Sequence, residues 1–589
     1  MLPLLVIALA VVACLSPWLK NRWQYRHIPG PFAPPFIGNL LPIFRMGLHE
    51  YMMQCRLRYG KTFKLYLGKS MLLVTADPEV ARKLNYRMNN RVIQGQLQLN
   101  EDDQINSQGL VVARDERWRT LRLAWQPTFQ SGCLESYAEL MDSSAAQLAQ
   151  SLRAAADSGE PVDMWRELGR MTLHVVGSTA YGVDFHTLEQ DASSGAAAQG
   201  AELIQACQTV FAAGSITRGS IYILLNAVLP APHLVGWAAR TMPDKRLTQL
   251  IQARRTIRSV SMDLINKWRA AHPAAASGTA NGTANGTANG TAYGIAAAAE
   301  TPLIEEISAA VPAAPAAAAA AVADAAPAGS RDQAADEAPA AAAVGKGKGE
   351  AVRRKGAGMA PGSFMGLMLT TRDKTNGSAL SDAAVVAQAN TFTLAGYETT
   401  ANTLAYCVYN IAAHPEVQAR LLAEVDAYGR GRKVAYKDLD QFPYAEAVVR
   451  EALRLYPPAT MISREVKAGG FPLTPQVHVP AGQQVMSFLY GYQRDPEYWP
   501  AALEFRPERW LPEGAALAAK SPDAWTPFGS GARMCIGWRF ALQEAKIALV
   551  RLYQDQTYQL QPGQVPLALQ QNITLSPRNG VWVTVVPRS

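Results

Sequence analysis

The stretch Thr526-Pro527-Phe528-Gly529-Ser530-Gly531-Ala532-Arg533-Met534-Cys535-Ile536-Gly537 decides how this chain is read. Its glycines let a backbone turn tightly and come close to a flat ligand, and Arg533 sets a cation two residues from the thiol of Cys535. Residues Trp538 to Leu549 follow with helical spacing, so a helix is expected to begin beside the sulfur. Backbone N–H groups and the positive end of that helix would lower the cysteine pKa and favour a thiolate ligand. A structural cysteine buried in a glycine-rich loop is the plainer use of a lone thiol. The spacing Phe-x-x-Gly-x-Arg-x-Cys-x-Gly is too specific for that use.

Working upstream, Glu451-Ala452-Leu453-Arg454 puts a carboxylate and a guanidinium on one helix face, within pairing distance. Alone it reads as a solvated surface pair, but it stands directly before Leu455-Tyr456-Pro457-Pro458 and well upstream of Cys535. Arg509, in Phe505-Arg506-Pro507-Glu508-Arg509-Trp510, is placed to join it. Further back, residues 383–413 run without proline until Pro415, with Ser381 and Asp382 as N-cap candidates. At the usual rise this is a helix of roughly 45 Å, apolar almost all round, which belongs in the middle of a domain. Half-way along it stands Ala395-Gly396-Tyr397-Glu398-Thr399-Thr400. Gly396 is expected to weaken the helix there, and Thr399 to turn its hydroxyl to a carbonyl one turn back, opening a groove. Near the N-terminal third, Trp118 and Arg122 put an indole N–H and a guanidinium four apart on one helix face, both donors suited to a carboxylate.

Taken with the Cys535 loop, these strings resemble the cytochrome P450 superfamily. AGYETT, DPEYW, TPFGSG and CIGWRFALQEAKIAL are similar to the clan of drug- and steroid-oxidising enzymes, thromboxane synthase and plant carlactone oxidases. The resemblance covers the chain from about Ile28 to the C-terminus apart from an Ala/Gly-rich insertion. It implies a mainly α fold with a small β region, the triangular helical prism of that family, and haem b as cofactor. It also implies Cys535 as axial ligand to the haem iron, with Phe528 and Gly531 shaping the loop around it. Trp118, Arg122, Arg464 and Arg533 are the implied partners of the haem propionates. Glu451, Arg454 and Arg509 are the implied brace of the haem loop, and Glu398 and Thr399 the implied proton-delivery pair. Thromboxane synthase departs from the family at the threonine position, whereas this chain keeps Thr399, so reductive dioxygen activation is the better expectation. Phe392, Ala395 and the Thr460-Met461-Ile462 stretch are expected in the walls of a pocket for a lipophilic substrate.

The rest of the chain sets limits. With 589 residues, 49% of them hydrophobic, there is material for a large core. The net charge of +8 is scattered rather than gathered into a stripe, which argues against nucleic acid and suits an acidic protein partner or anionic lipid. The six cysteines form no CxxC pair, so neither a disulfide framework nor a structural zinc is expected. Residues Leu2 to Leu19 are almost wholly apolar and would extend roughly 27 Å as a helix, about the hydrocarbon thickness of an endoplasmic-reticulum bilayer. Lys20, Arg22 and Arg26 follow, which puts the body of the chain in the cytosol. A cleaved signal peptide is the alternative, but its basic start is missing.

Four segments are therefore expected. Residues 1–27 form a single-pass membrane anchor with its basic flank, followed by the first part of the catalytic domain, 28–271. Residues 272–362 are an Ala/Gly/Pro-rich insertion, with Gly-Thr-Ala-Asn repeats, that cannot bury enough apolar surface to order itself. Residues 363–589 complete the catalytic domain and carry the haem loop. The expected protein is a monomeric monooxygenase at the endoplasmic-reticulum membrane, driven by NADPH-cytochrome reductase and acting with O2 on a terpenoid, steroid or fatty-acid-like substrate. An isomerase or dehydratase needing no reductase, and a haem-binding sensor or carrier, are the rival readings.

Overall fold

In the computed structural model, which describes residues 15–91, 99–189, 195–215, 218–272, 364–370 and 379–588, the chain folds mainly into helices beside a small β region. The elements that position the site run in chain order. Helix α1 (Leu48–Tyr59) leads into the antiparallel strands β1 (Thr62–Leu67) and β2 (Ser70–Thr75). Then come the short helix α2 (Glu101–Asn106) and helices α3 (Asp115–Trp125), α4 (Ser131–Ser158), α5 (Met164–Val176), α6 (Gly195–Ala213) and α7 (Lys245–Ala271). The C-terminal half supplies α8 (Asp382–Ala413), α9 (Pro443–Leu455), β3 (Ile462–Glu465), β4 (Gln484–Ser487), α10 (Trp538–Gln554), β5 (Leu569–Gln571) and β6 (Leu575–Pro577).

Helix α8 organises the rest. The Ser381 side chain accepts a hydrogen bond from the Ala384 N–H, satisfying one orphan donor of the first turn, and the helix ends just before Pro415. Its side chains are buried along nearly its whole length, against α5 on one side and α9 and α10 on others. Contrary to the sequence expectation, Gly396 does not interrupt it. A Cβ there would lie 2.6 Å from Cγ2 of Val176, so the glycine serves the close approach of α5 to α8.

The four-stranded sheet has the order β1-β2-β4-β3, with β2 and β4 parallel and the other pairs antiparallel. In its register Arg464 stands opposite Val485, which turns the Arg464 side chain into the interior. The proline-rich segment after residue 27 is docked, not a free hinge. The Lys64 N–H donates to the Pro29 carbonyl at 2.9 Å, and a Cβ on Gly30 would collide with the Lys64 carbonyl oxygen at 2.2 Å.

Among the described residues no helix is long and apolar enough to cross a membrane. Residues 2–14, most of the expected anchor, lie outside the described residues, as does the expected insertion after His272.

Candidate haem-thiolate site

The loop before α10 is built around its own backbone. The Cys535 N–H donates to the Phe528 carbonyl at 2.9 Å, the Met534 N–H to that of Gly531 at 2.9 Å, and the Gly529 N–H to that of Thr526 at 2.8 Å. Gly529 and Gly531 have φ of 76° and 69°, the left-handed region where a side chain is strained. At Gly531 there is no room either, because a Cβ would lie 2.5 Å from the Asn85 carbonyl oxygen. The loop thus leaves Cys535 at its tip, exposed within an otherwise closely packed region.

Four guanidinium groups surround this loop. Arg91 donates to the Arg533 carbonyl at 2.9 Å and Arg122 to the Met534 carbonyl at 2.8 Å. Arg533 lies over the Trp118 ring at 4.2 Å and donates to the carbonyls of Leu110 and Ala113. Arg464 comes from the sheet, and its fully buried side chain donates only to the Ser463 carbonyl. Burial and then the charge of Arg91 push Arg464 down to about 9, with Arg533 adding to the effect. Burial and the neighbouring arginines likewise push Arg533 to about 9. Among the described residues, the Nε atoms of Arg91, Arg464 and Arg533, and Nη2 of Arg464, are buried without a hydrogen-bond partner.

Like charges held this close in a buried place are costly unless an anion joins them. The unspent donors, the aromatic lid and the thiol at the loop tip fit the two propionates and the iron of a haem. Arg91 was invisible in the sequence: Asn89-Asn90-Arg91 belongs to no motif, and only the fold brings it to the loop.

The thiol itself differs from the sequence expectation. The Gly537 N–H and the charges of Arg122 and Arg91 do favour the thiolate, but desolvation outweighs them and pushes the Cys535 pKa up in the protein alone.

The expected brace is present in full. Glu451, Arg454 and Arg509 are completely buried, and Glu451 receives Arg454 at 2.9 Å through both carboxylate oxygens and Arg509 at 2.8 Å. Trp510 Nε1 and the Arg506 N–H also donate to Glu451, each at 3.0 Å. Arg454 spends its remaining donors on the carbonyls of Gln493, Ala502 and Glu504. Gln493 then joins the brace to the loop: its amide donates to the Leu453 and Arg454 carbonyls and accepts from the Thr526 N–H at 3.0 Å.

This arrangement agrees with the comparisons. The family model "Cytochrome P450" matches residues 28–283 and 350–583, most of the chain. The chain belongs to the cytochrome P450 family. It is 28% identical to thromboxane-A synthase of Rattus norvegicus over 99% of this chain and 96% of that protein. It is 26% identical to cytochrome P450 3A11 of Mus musculus over the same shares of each. The chain is accordingly an oxidoreductase of the cytochrome P450 monooxygenase family, with haem b as its cofactor.

On α8, Ala395 is exposed and Thr399 partly so in a helix otherwise buried around them. The Thr399 hydroxyl donates to the Ala395 carbonyl at 2.6 Å, the back-bond expected from the sequence. Phe392 meets Trp125, Phe129 and Phe364 edge to face or tilted. Thr460 is buried and its hydroxyl pairs with the Gln571 amide, Met461 packs on the sheet side, and Ile462 lies 3.1 Å from where a Gly529 Cβ would be.

Glu398 is not turned to the same side as Thr399, since successive residues on a helix do not face each other. Its carboxyl is buried and accepts from Thr574. Burial pushes its pKa up to about 7 against the lowering influence of Thr574 and Asn402.

The orphaned donors of Arg464 give a specific expectation. Arg464→Leu removes a buried unpaired cation, so the apoprotein should unfold at the same temperature or higher. It also removes a charged hydrogen-bond donor to haem, so haem transfer to an acceptor apoprotein should run at least about tenfold faster. Unchanged haem transfer would remove Arg464 from the site.

Proposed function

We propose that the chain is a monooxygenase that takes electrons from NADPH through a cytochrome reductase and inserts one oxygen atom of O2 into a lipophilic, terpenoid-, steroid- or fatty-acid-like substrate. The observation that carries this reading is Thr399: its hydroxyl is tied back to the carbonyl of Ala395, which is open to contact half-way along α8. Haem b supplies the iron at which O2 is reduced and split. Cys535 would supply the sulfur ligand to its iron, from the loop that turns at Phe528–Gly531. Arg91, Trp118, Arg122, Arg464 and Arg533 hold the propionates, and Glu451, Arg454 and Arg509 keep the loop rigid. Thr399 holds water and passes on protons that Glu398 supplies. Phe392, Ala395, Thr460, Met461 and Ile462 line the substrate side. The catalytic domain is composed of 28–271 and 363–589, with 272–362 inserted and 1–27 as anchor.

Thr399→Ala tests the reaction class. With reductase and a substrate picked by absorbance titration of terpenoids, sterols and fatty acids, NADPH consumption should stay near wild type. Product per NADPH should fall roughly tenfold or more, with hydrogen peroxide released instead. Full coupling in the variant would mean that a substrate hydroxyl supplies the proton or that the chain is an isomerase, and turnover without NADPH would decide for the isomerase.

The proposed place is the cytosolic face of the endoplasmic reticulum. Phe32, Leu41, Leu234, Trp237 and Met242 are each more than half exposed. Phe44 and Ile221 line one cleft, so the segments carrying these residues adjoin. Such an apolar face suits the edge of a bilayer, next to Lys20, Arg22 and Arg26. Removal of residues 1–26 should therefore move only part of the protein out of the membrane fraction, and adding Leu234→Ser and Trp237→Ser should release the remainder. Complete release by the truncation alone would confine the contact to the anchor.

A further inference from the structure

Glu398 is reached by a chain of hydrogen bonds that starts outside α8. Trp165, in the first turn of α5, donates its indole N–H to Asn402 Oδ1 at 2.6 Å. Asn402 Nδ2 donates to the Leu575 carbonyl at 2.9 Å and to Thr574 Oγ1 at 3.3 Å. Thr574, in the connection between β5 and β6, donates its hydroxyl to Glu398 Oε1.

The direction of every bond follows from the chemistry of the ends. An indole N–H only donates and a backbone carbonyl only accepts, so Asn402 is locked with its oxygen toward Trp165 and its amide toward Thr574. The Thr574 oxygen then receives a hydrogen from Asn402, and its one proton is left for Glu398. Bonds aligned in this way polarise one another toward the carboxylate. All four side chains are buried or half-buried. The other titratable groups that act on or feel Glu398 are Cys207 of α6 and Tyr397 and Tyr406 of its own helix, all neutral near pH 7, and among the described residues no cation faces it. The Thr574 donor, with the Asn402 amide dipole behind it, is therefore what opposes burial at this carboxyl.

We propose that Thr574, oriented by the Trp165–Asn402 pair, is a positioning residue that holds the Glu398 carboxyl and sets how readily it gives up its proton. On release of the proton, the carboxylate is stabilised by the Thr574 O–H, itself polarised by the Asn402 amide, until solvent returns a proton, so no other reactant is required. This rests on the proton-supplying role given to Glu398 above.

The test uses the haem-loaded, full-length protein and Thr574→Val, which keeps the shape and removes the donor. Infrared difference spectra over pH, with Glu398→Gln to mark its band, read the carboxyl directly. Loss of a hydrogen bond to the charged form should move the Glu398 titration to higher pH by about one unit or more. Thr574→Ser should restore it, and Trp165→Phe, which frees Asn402 to flip, should move it the same way by less. A functional reading comes without any substrate: with reductase and NADPH, the hydrogen peroxide formed per NADPH should rise with pH as Glu398 ionises. In Thr574→Val that rise should shift alkaline together with the infrared band. An unmoved band in Thr574→Val overturns the hold. A moved band with an unmoved peroxide profile in both Thr574→Val and Glu398→Gln overturns instead the role of Glu398 in proton supply, and Thr574's part in the reaction with it.

Discussion

Glu451→Ala should yield a protein that accumulates poorly and carries little or no haem. The substitution leaves Arg454 and Arg509, both fully buried, without the carboxylate between them. It also strands the Trp510 indole and the Arg506 N–H. Breaking a buried ion pair from one side costs about 3–5 kcal/mol, a large part of the roughly 5–15 kcal/mol that keeps a domain folded. The damage would not stay local, because Gln493 ties the backbone of α9 to Thr526 at the start of the Cys535 loop. Haem absorbance per protein and the thermal midpoint are the readouts, and normal values for both would show that the network is dispensable.

The same network gives acid sensitivity a sign. Burial acts to raise the Glu451 pKa, but the charges and hydrogen bonds of Arg454 and Arg509 outweigh it and hold the carboxyl below its ordinary value. Its contribution is thus complete at neutral pH and above the ordinary glutamate value, and is lost as pH falls below that value through the depressed one.

How far this was legible depends on how local the signal was. The Cys535 loop and the Ser381-capped helix were readable because turn glycines, caps and periodicity act within a few residues. The Glu451 network was readable because the i, i+3 pair lies on one helix, although its completion by Arg509 needed the family resemblance. Arg91 was missed since nothing near it in sequence tells that the segment just after the helix Pro78–Arg87 will deliver it to Arg533. Trp165, Asn402 and Thr574 were missed for the same reason: their bonds join α5, α8 and the β5–β6 connection across the whole chain.

Where local reasoning misled, packing had overruled it. Gly396 read as a weak point in a helix, yet it is the residue that admits Val176. The helix end beside Cys535 read as lowering the thiol pKa, yet desolvation in the closely packed region around the loop raises it in the protein alone.

The central claim is that Cys535 is the sulfur ligand of a bound haem. Among the described cysteines, Cys55, Cys207 and Cys407 are buried and Cys133 is half-buried in the first turn of α4, whereas Cys535 stands exposed at the tip of the loop ringed by Arg91, Arg122 and Arg533. The most direct measurement is the absorption spectrum of the reduced, carbon-monoxide-treated protein, wild type beside Cys535→Ser. A thiolate opposite the gas pushes electron density onto the iron and displaces the main band strongly to the red. The expected result is a red-displaced band in the wild type and none in Cys535→Ser, whatever haem the variant retains. A wild-type protein that binds haem without that band, or a Cys535→Ser protein that keeps it, would contradict the assignment.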